Sequence, residues 1–156
     1  MRGNEISFIK DLVLKQGMAK KVMCFGTFDV IHPGHLNYFE QAKKFGDYLV
    51  VVVARDKNVE SIKGKKPMFS EQERLKQVNE LEVVDKAVLG NNDDFMKVVV
   101  DEKPDIVCLG YDQSFKEETV KKQLKERGFI VEIKRLKPYY PEKFKSTLIQ
   151  DKMILS

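Results

Sequence analysis

Gly26-Thr27-Phe28-Asp29-Val30-Ile31-His32-Pro33-Gly34-His35 decides the fold, because it joins two segments of different periodicity. Before it, Lys21-Val22-Met23-Cys24-Phe25 is short, apolar and partly β-branched, the pattern of a buried strand; after it, Leu36, Phe39 and Ala42 or Lys43 recur at helical spacing. The stretch is a strand-to-helix crossing. A helix starts with backbone N–H groups that lack partners within it and with a partly positive end, where phosphates and other anions settle. Pro33 suits the first turn, where its missing N–H costs nothing, and Gly34 lets a ligand come close to the backbone.

His32 and His35 are the only 2 histidines of the chain. Three residues apart at a helix start, they can share one face and aim at whatever lies above the helix end. Against a nucleotide, both imidazoles can donate to phosphate oxygens that gain charge as phosphorus becomes five-coordinate, and Thr27 adds a hydroxyl. Donors so placed are worth on the order of a hundred- to a thousandfold in rate each. The same H-x-x-H spacing is compatible with metal binding or with a solvated helix start. The strand before it, the Gly-Thr-Phe-Asp run and the apolar helix after it favour the phosphate reading.

Gly26-Thr27-Phe28-Asp29 followed by His32-Pro33-Gly34-His35 resembles the signature of the cytidylyltransferase-like nucleotidyltransferases, the superfamily with the H-x-G-H motif. The resemblance runs over about residues 20–156. Leu109-Gly110-Tyr111-Asp112-Gln113, with Ala54-Arg55-Asp56-Lys57, looks most like archaeal FAD synthases, and bacterial glycerol-3-phosphate cytidylyltransferases are near relatives. The resemblance implies transfer of a nucleotidyl group from a nucleoside triphosphate to a phosphate-bearing acceptor, with release of pyrophosphate and with Mg²⁺ offsetting charge. ATP and FMN are the substrates it suggests first, CTP and glycerol 3-phosphate the alternative.

The chain has 156 residues, of which 42% are hydrophobic and 33% charged, with a net charge of +4. That length fits one domain able to bury roughly 70% of its unfolded surface. Lys and Glu interleave instead of forming a basic stripe, which argues against a nucleic-acid partner. Cys24 and Cys108 each lie in an apolar run and read as small buried side chains, not a disulfide framework. There is no signal-like run and no stretch of eighteen apolar residues, so the expectation is a cytoplasmic protein without a membrane span.

Along the chain, residues 1–18 carry Ile6, Phe8, Ile9, Leu12 and Val13 at amphipathic spacing, an N-terminal helical extension to a domain over 19–156. Such a helix packs on the core or on a second copy of the chain, which makes a homodimer one of its two outcomes. Tyr48–Val53 is apolar without alternation, as in a parallel strand covered on both faces. Arg55 and Asp56 follow its carboxyl end, where open α/β sheets place ligands. The lysine-rich segment 57–67 shows no core-like spacing and reads as a surface loop; by resemblance, Lys63, Lys65 and Lys66 are candidates to neutralise phosphate.

Ser70-x-x-Glu73 is a capping box opening a helix to about Leu81, on which the relatives place an arginine, here Arg74, facing the nucleotide. Further strands are expected over 83–89, 105–109 and 129–133, with helices over 91–102 and 115–128. Gly110 permits close approach of a base or ribose, and Asp112 can accept a hydrogen bond from it. Tyr139 and Tyr140 can stack on a flat ring or cover the core. Ser146 and Thr147 open a last helix at the place where the families carry an I-S-S/T motif that touches distal phosphates, although the usual preceding residue is missing and Lys143 or Lys145 can supply the charge.

Strands and helices alternate without a repeat, so the expected fold is α/β: a doubly wound parallel five-stranded sheet, Rossmann-like, with the extra N-terminal helix. The expected site comprises His32, His35 and Thr27 as catalytic groups; Phe28, Pro33, Gly34, Gly110, Asp112, Tyr140, Ser146 and Thr147 around the nucleotide; and Asp29, Arg55, Lys63, Lys66 and Arg74 toward phosphate or acceptor. The absence of G-x-G-x-x-G after the first strand counts against hydride transfer. A nucleotide sensor without turnover is the non-catalytic alternative; a transition metal on the two histidines lacks further nearby ligands.

Overall fold

In the computed structural model, residues 20–138 are described. The expected N-terminal helix, Tyr140, Ser146 and Thr147 lie outside the described residues. Among the described residues are five strands, β1 (Lys21–Gly26), β2 (Tyr48–Val53), β3 (Lys86–Leu89), β4 (Ile106–Leu109) and β5 (Glu132–Arg135), joined by five helices, α1 (Pro33–Lys43), α2 (Asp56–Lys63), α3 (Glu71–Asn79), α4 (Phe95–Glu102) and α5 (Glu117–Glu126), with α2 and α3 both between β2 and β3. The sheet is wholly parallel with order β3-β2-β1-β4-β5, the doubly wound architecture that the strand–helix alternation implies.

β2 is buried at every position because helices cover both faces. Val22, Cys24, Leu49, Val51 and Val53 face Phe39 and Ala42 of α1 and Val78 of α3. Met23, Phe25, Val50, Val52, Val107 and Leu109 face Met96, Val98 and Val99 of α4 and Val120 and Leu124 of α5. Cys24 and Cys108 are buried free thiols. Burial pushes both up, Cys108 to about 12, and for Cys24 the neighbouring Cys108 adds to the effect.

One departure is the segment after β2, where a helix, α2, replaces the expected loop. Val59 alone anchors it to the core. Its start is held from elsewhere, as the Asp56 N–H donates to Glu71 Oε1 at 2.8 Å, and Gly64 ends it with φ +77°. A single apolar anchor and a cap supplied across a gap in sequence leave no periodic signal. The fifth strand also begins three residues late: Phe129 still donates its N–H to Leu124 O, closing α5, and Ile130 is 85% exposed. Pairing of β4 with β5, from Ile106↔Glu132 to Leu109↔Arg135, sets the register of this edge strand instead of its apolar run. Among the described residues, no helix is long and apolar enough to cross a membrane.

Candidate active site

β1 pairs with β2 along its whole length, Lys21↔Tyr48 to Gly26↔Val53, but with β4 only at Val22↔Ile106 and Met23↔Val107. Beyond Met23 the two inner strands part. This is the topological switch point, where open α/β sheets form a crevice at their carboxyl ends. Two side chains fill its floor. The Tyr38 hydroxyl donates to Phe25 O (2.9 Å) and accepts from Phe25 N–H (3.3 Å). Gln113 donates through Nε2 to the same carbonyl (2.9 Å) and accepts at Oε1 from Gly110 N–H (2.8 Å).

From β1 the chain turns at Phe28, whose φ of +54° lies in the left-handed region that few side chains adopt. The ring is 2% exposed. It packs on Phe39 at 5.0 Å and edge-on against His35 at 5.3 Å. Asp29 follows, and its carboxylate accepts from Met68 N–H (2.6 Å) and Phe69 N–H (2.8 Å). The motif loop is thereby tied to the segment between α2 and α3.

The two histidines build the start of α1 together. His32 is the N-cap: its Nδ1 accepts from Gly34 N–H (3.1 Å), while His35 Nδ1 accepts from His32 N–H (3.3 Å). This is a reciprocal capping box made of two imidazoles. A ring nitrogen that accepts carries no proton, so each neutral imidazole bears its proton on Nε2. The rings stack at 3.9 Å and 24°. Burial first, then His32 and Lys63, pull His35 down to about 3, against a hydrogen bond to the Val30 backbone. His35 is a neutral donor throughout the physiological range.

Lys63, at the end of α2, faces the same place. Partial burial holds its ammonium below the usual lysine range; Asp29 and Asp112 act to raise it, and Arg74 and Lys65 to lower it further. Lys63 thus acts electrostatically on His35, Asp29 and Asp112, which lie in separate parts of the chain. Lys66 is exposed. Arg55 lies to one side, donating to Gly90 O (2.9 Å) and to Glu71 Oε2 (2.9 Å).

Arg74 is 0% exposed, so its guanidinium lies beneath the crevice and not in it. Nε donates to Phe69 O (3.0 Å), Nη1 to Thr27 O (2.9 Å) and Ala54 O (2.8 Å), and Nη2 to Asp56 Oδ1 (2.6 Å). It fixes the ends of β1 and β2 relative to each other. Arg135, at the end of β5, does the corresponding work on the other half of the sheet. Its Nη1 donates to Gly110 O (2.7 Å) and Gln113 O (3.0 Å), and its Nη2 to Phe115 O and to Glu117 Oε1 (2.6 Å). Arg135 and Tyr38 carry no motif signal, and Gln113 ends the Leu109–Gln113 run without a role that the run itself declares; an arginine or glutamine in a strand or loop reads as surface until its partners are placed.

The strand–turn–helix geometry, the paired histidines and the switch-point crevice coincide with a known family. Residues 23–152 match Cytidylyltransferase-like proteins. The chain belongs to the cytidylyltransferase-like family. Among its cytidylyltransferase-like relatives is the FAD synthase of Ferroglobus placidus, 48% identical over 118 residues, or 76% of each chain. The FAD synthase of Thermoplasma acidophilum is 46% identical over 134 residues, covering 86% of this chain and 94% of that one. A solved structure described as a lipopolysaccharide core biosynthesis protein of Thermoplasma volcanium aligns with a TM-score of 0.74 at 46% identity, over 78% of this chain and 98% of the other. This cytidylyltransferase-like chain is a nucleotidyltransferase.

Proposed function

We propose that this enzyme transfers AMP from ATP to the phosphate of FMN, forming FAD. An FMN phosphate oxygen attacks the α-phosphorus in line; the new P–O bond forms as the bond to the β-phosphate oxygen breaks, and pyrophosphate leaves with that electron pair. The chain's task is positioning and charge stabilisation. The observation that carries this reading is the reciprocal histidine cap, which stacks two imidazoles side by side at a helix start beside the switch-point crevice. The FAD synthase relatives supply the choice of substrates.

In this reading His32 and His35 donate to the α- and β-phosphates, with the Thr27 hydroxyl and the Phe28, Pro33 and Gly34 backbone lining the phosphate site. Lys63 and Lys66 neutralise charge on the triphosphate. Gly110 and Asp112 hold the nucleoside. Asp29, Arg55 and Arg74 shape the loops through the contacts given above, rather than meeting phosphate themselves.

Mg²⁺ supplies charge neutralisation when bound. Among the described residues no group of three or more His, Cys, Asp or Glu side chains is arranged to hold a metal, and the Asp29 carboxylate oxygens already accept from Met68 and Phe69. That donor set does not suit a protein cage. It fits an ion that arrives on the triphosphate and keeps most of its ligands there.

The test is chromatography of products from ATP with FMN and from CTP with glycerol 3-phosphate, with pyrophosphate measured in parallel. FAD and pyrophosphate in equal amounts are expected, with a loss of a hundredfold or more in His32→Asn and His35→Asn. Turnover of the CTP pair alone overturns the substrate choice. Full activity in both histidine variants overturns the mechanism.

A further inference from the structure

A cavity of about 310 Å³ lies between the starts of α4 and α5, lined chiefly by Phe95, Met96, Phe115, Lys116, Thr119 and Gln123. Its size falls at the lower end of small-molecule pockets, and its lining has the expected mixture of aromatic surface with a few polar groups. Phe95 follows the loop after β3 and Phe115 lies in the loop after β4, so both stand at the carboxyl ends of the strands. Their rings stack at 4.4 Å and 23°, and Phe95 meets Phe25 at 4.6 Å. Phe25 directly precedes Gly26 and Thr27 of the phosphate motif. An aromatic ladder thus leads from beside the motif to an open cavity.

We infer that this cavity receives the isoalloxazine ring of the flavin acceptor, an inference that rests on the proposed activity. The acceptor must combine a flat ring with an anion on an arm long enough to bring the phosphate to His32 and His35, and FMN, with its ribityl phosphate, has that construction. The choice of ring follows from the lining. Adenine carries hydrogen-bonding nitrogens around most of its edge, whereas the dimethylbenzene end of the flavin is bordered by methyl groups and suits Phe95, Phe115 and Met96. Thr119 and Gln123 offer hydrogen-bonding groups to the polar pyrimidine end. Lys116 sets a cation at the rim.

Phe115 is 36% exposed, and the chain contains 0 tryptophans, so Phe115→Trp places a single reporter on the cavity wall. FMN is expected to quench its emission saturably and ATP to leave it unchanged. In steady state, Phe115→Ala is expected to raise the KM for FMN roughly tenfold or more, the scale of one lost ring stack, with the KM for ATP and the melting temperature unchanged. Phe95→Leu, which keeps an apolar side chain, is expected to do the same to a smaller degree, and it replaces Phe115→Ala if that variant fails to fold. A rise in the KM for ATP alone would place adenine in the cavity and overturn the inference. Unchanged constants with no quenching overturn it as well. A wild-type protein that makes no FAD overturns the proposed activity separately; there the Phe115→Trp titration decides the cavity, quenching by FMN upholding it and silence ending it.

Discussion

The ring of Phe28 occupies the space that a side chain at position 26 would need. A Cβ on Gly26 would fall 2.4 Å from Phe28 Cζ and under 3 Å from both Cε atoms, distances no packed pair of carbons tolerates. The ring cannot move away cheaply, because it is wedged against Phe39 and His35 and its own backbone is left-handed. Gly26→Ala is therefore expected to cost about 1–3 kcal/mol of stability by overpacking, seen as a lower urea midpoint. FAD formation should fall further than stability does, since the displaced ring supports His35. Unchanged turnover with a lowered midpoint would separate Phe28 from the site.

Arg74 buries a charge to satisfy three carbonyls and Asp56 at the ends of two strands. Replacing it by Met leaves Thr27 O, Ala54 O and Phe69 O without this donor in a dry place, and since Asp56 is 41% exposed and stays solvated, the loss expected is that of stranded buried acceptors, about 1–3 kcal/mol. Arg74→Lys keeps the charge but not the planar fork, and one ammonium cannot reach all four acceptors. It is expected to recover less than half of that loss. Denaturant titration of both variants checks this, and a Lys variant as stable as wild type would show that charge alone suffices.

The halves of this molecule differ in how openly the sequence declares them. β1, β2, the crossing into α1 and the Ser70 capping box follow from local rules: an apolar run, a first-turn proline, a serine three residues before a glutamate. The burial of Arg74 does not show in the sequence, because its acceptors are backbone carbonyls 47 and 20 residues away. The same holds for α2, whose start Glu71 supports across 15 residues, and for β5, whose register is imposed by β4. The two histidines were legible as a pair; that they cap the helix for each other, and so fix each other's protons, emerges only from the geometry.

Gln113 closes the gap where β1 and β4 part. Gln113→Leu is nearly the same size but strands the Gly110 N–H and removes a donor from Phe25 O. A modest stability loss of about 1–3 kcal/mol is expected, with the KM for ATP rising more than the KM for FMN, because the Gly110–Asp112 turn is the part released. Gln113→Glu distinguishes shape from donors: its carboxylate still accepts from Gly110 but cannot donate to Phe25 O. Equal behaviour of Leu and Glu variants would point to the Phe25 bond.

Lys63 ends α2 and Lys66 follows it in the next segment, and both are exposed. Lys63 interacts electrostatically with His35 and Asp112. Lys63→Ala is expected to lower kcat/KM by about ten- to a hundredfold with little change in melting temperature, and Lys66→Ala by severalfold at most. Raising salt should diminish both effects, since both residues are exposed and exposed charges are screened. Initial rates at two ionic strengths measure both, and equal losses in the two variants would assign the loop a diffuse role.

His35 gives a pH dependence whose sign can be worked out. Its pKa in the folded protein is about 3 against an ordinary 6.5. Above pH 6.5 the imidazole is neutral in both states and contributes nothing. Between about 6.5 and 3 the unfolded chain takes up a proton that the folded one refuses, so stability falls as pH falls, with a slope approaching about 1.4 kcal/mol per pH unit. His35→Asn keeps an oxygen able to accept from His32 N–H and removes the titration. Urea denaturation at pH 7.5, 6 and 5 should show wild type losing stability relative to His35→Asn at each step, while the two hold a constant difference above pH 7. Parallel curves down to pH 5 would mean that His35 protonates in place, and the assignment of a neutral imidazole at position 35 would fail.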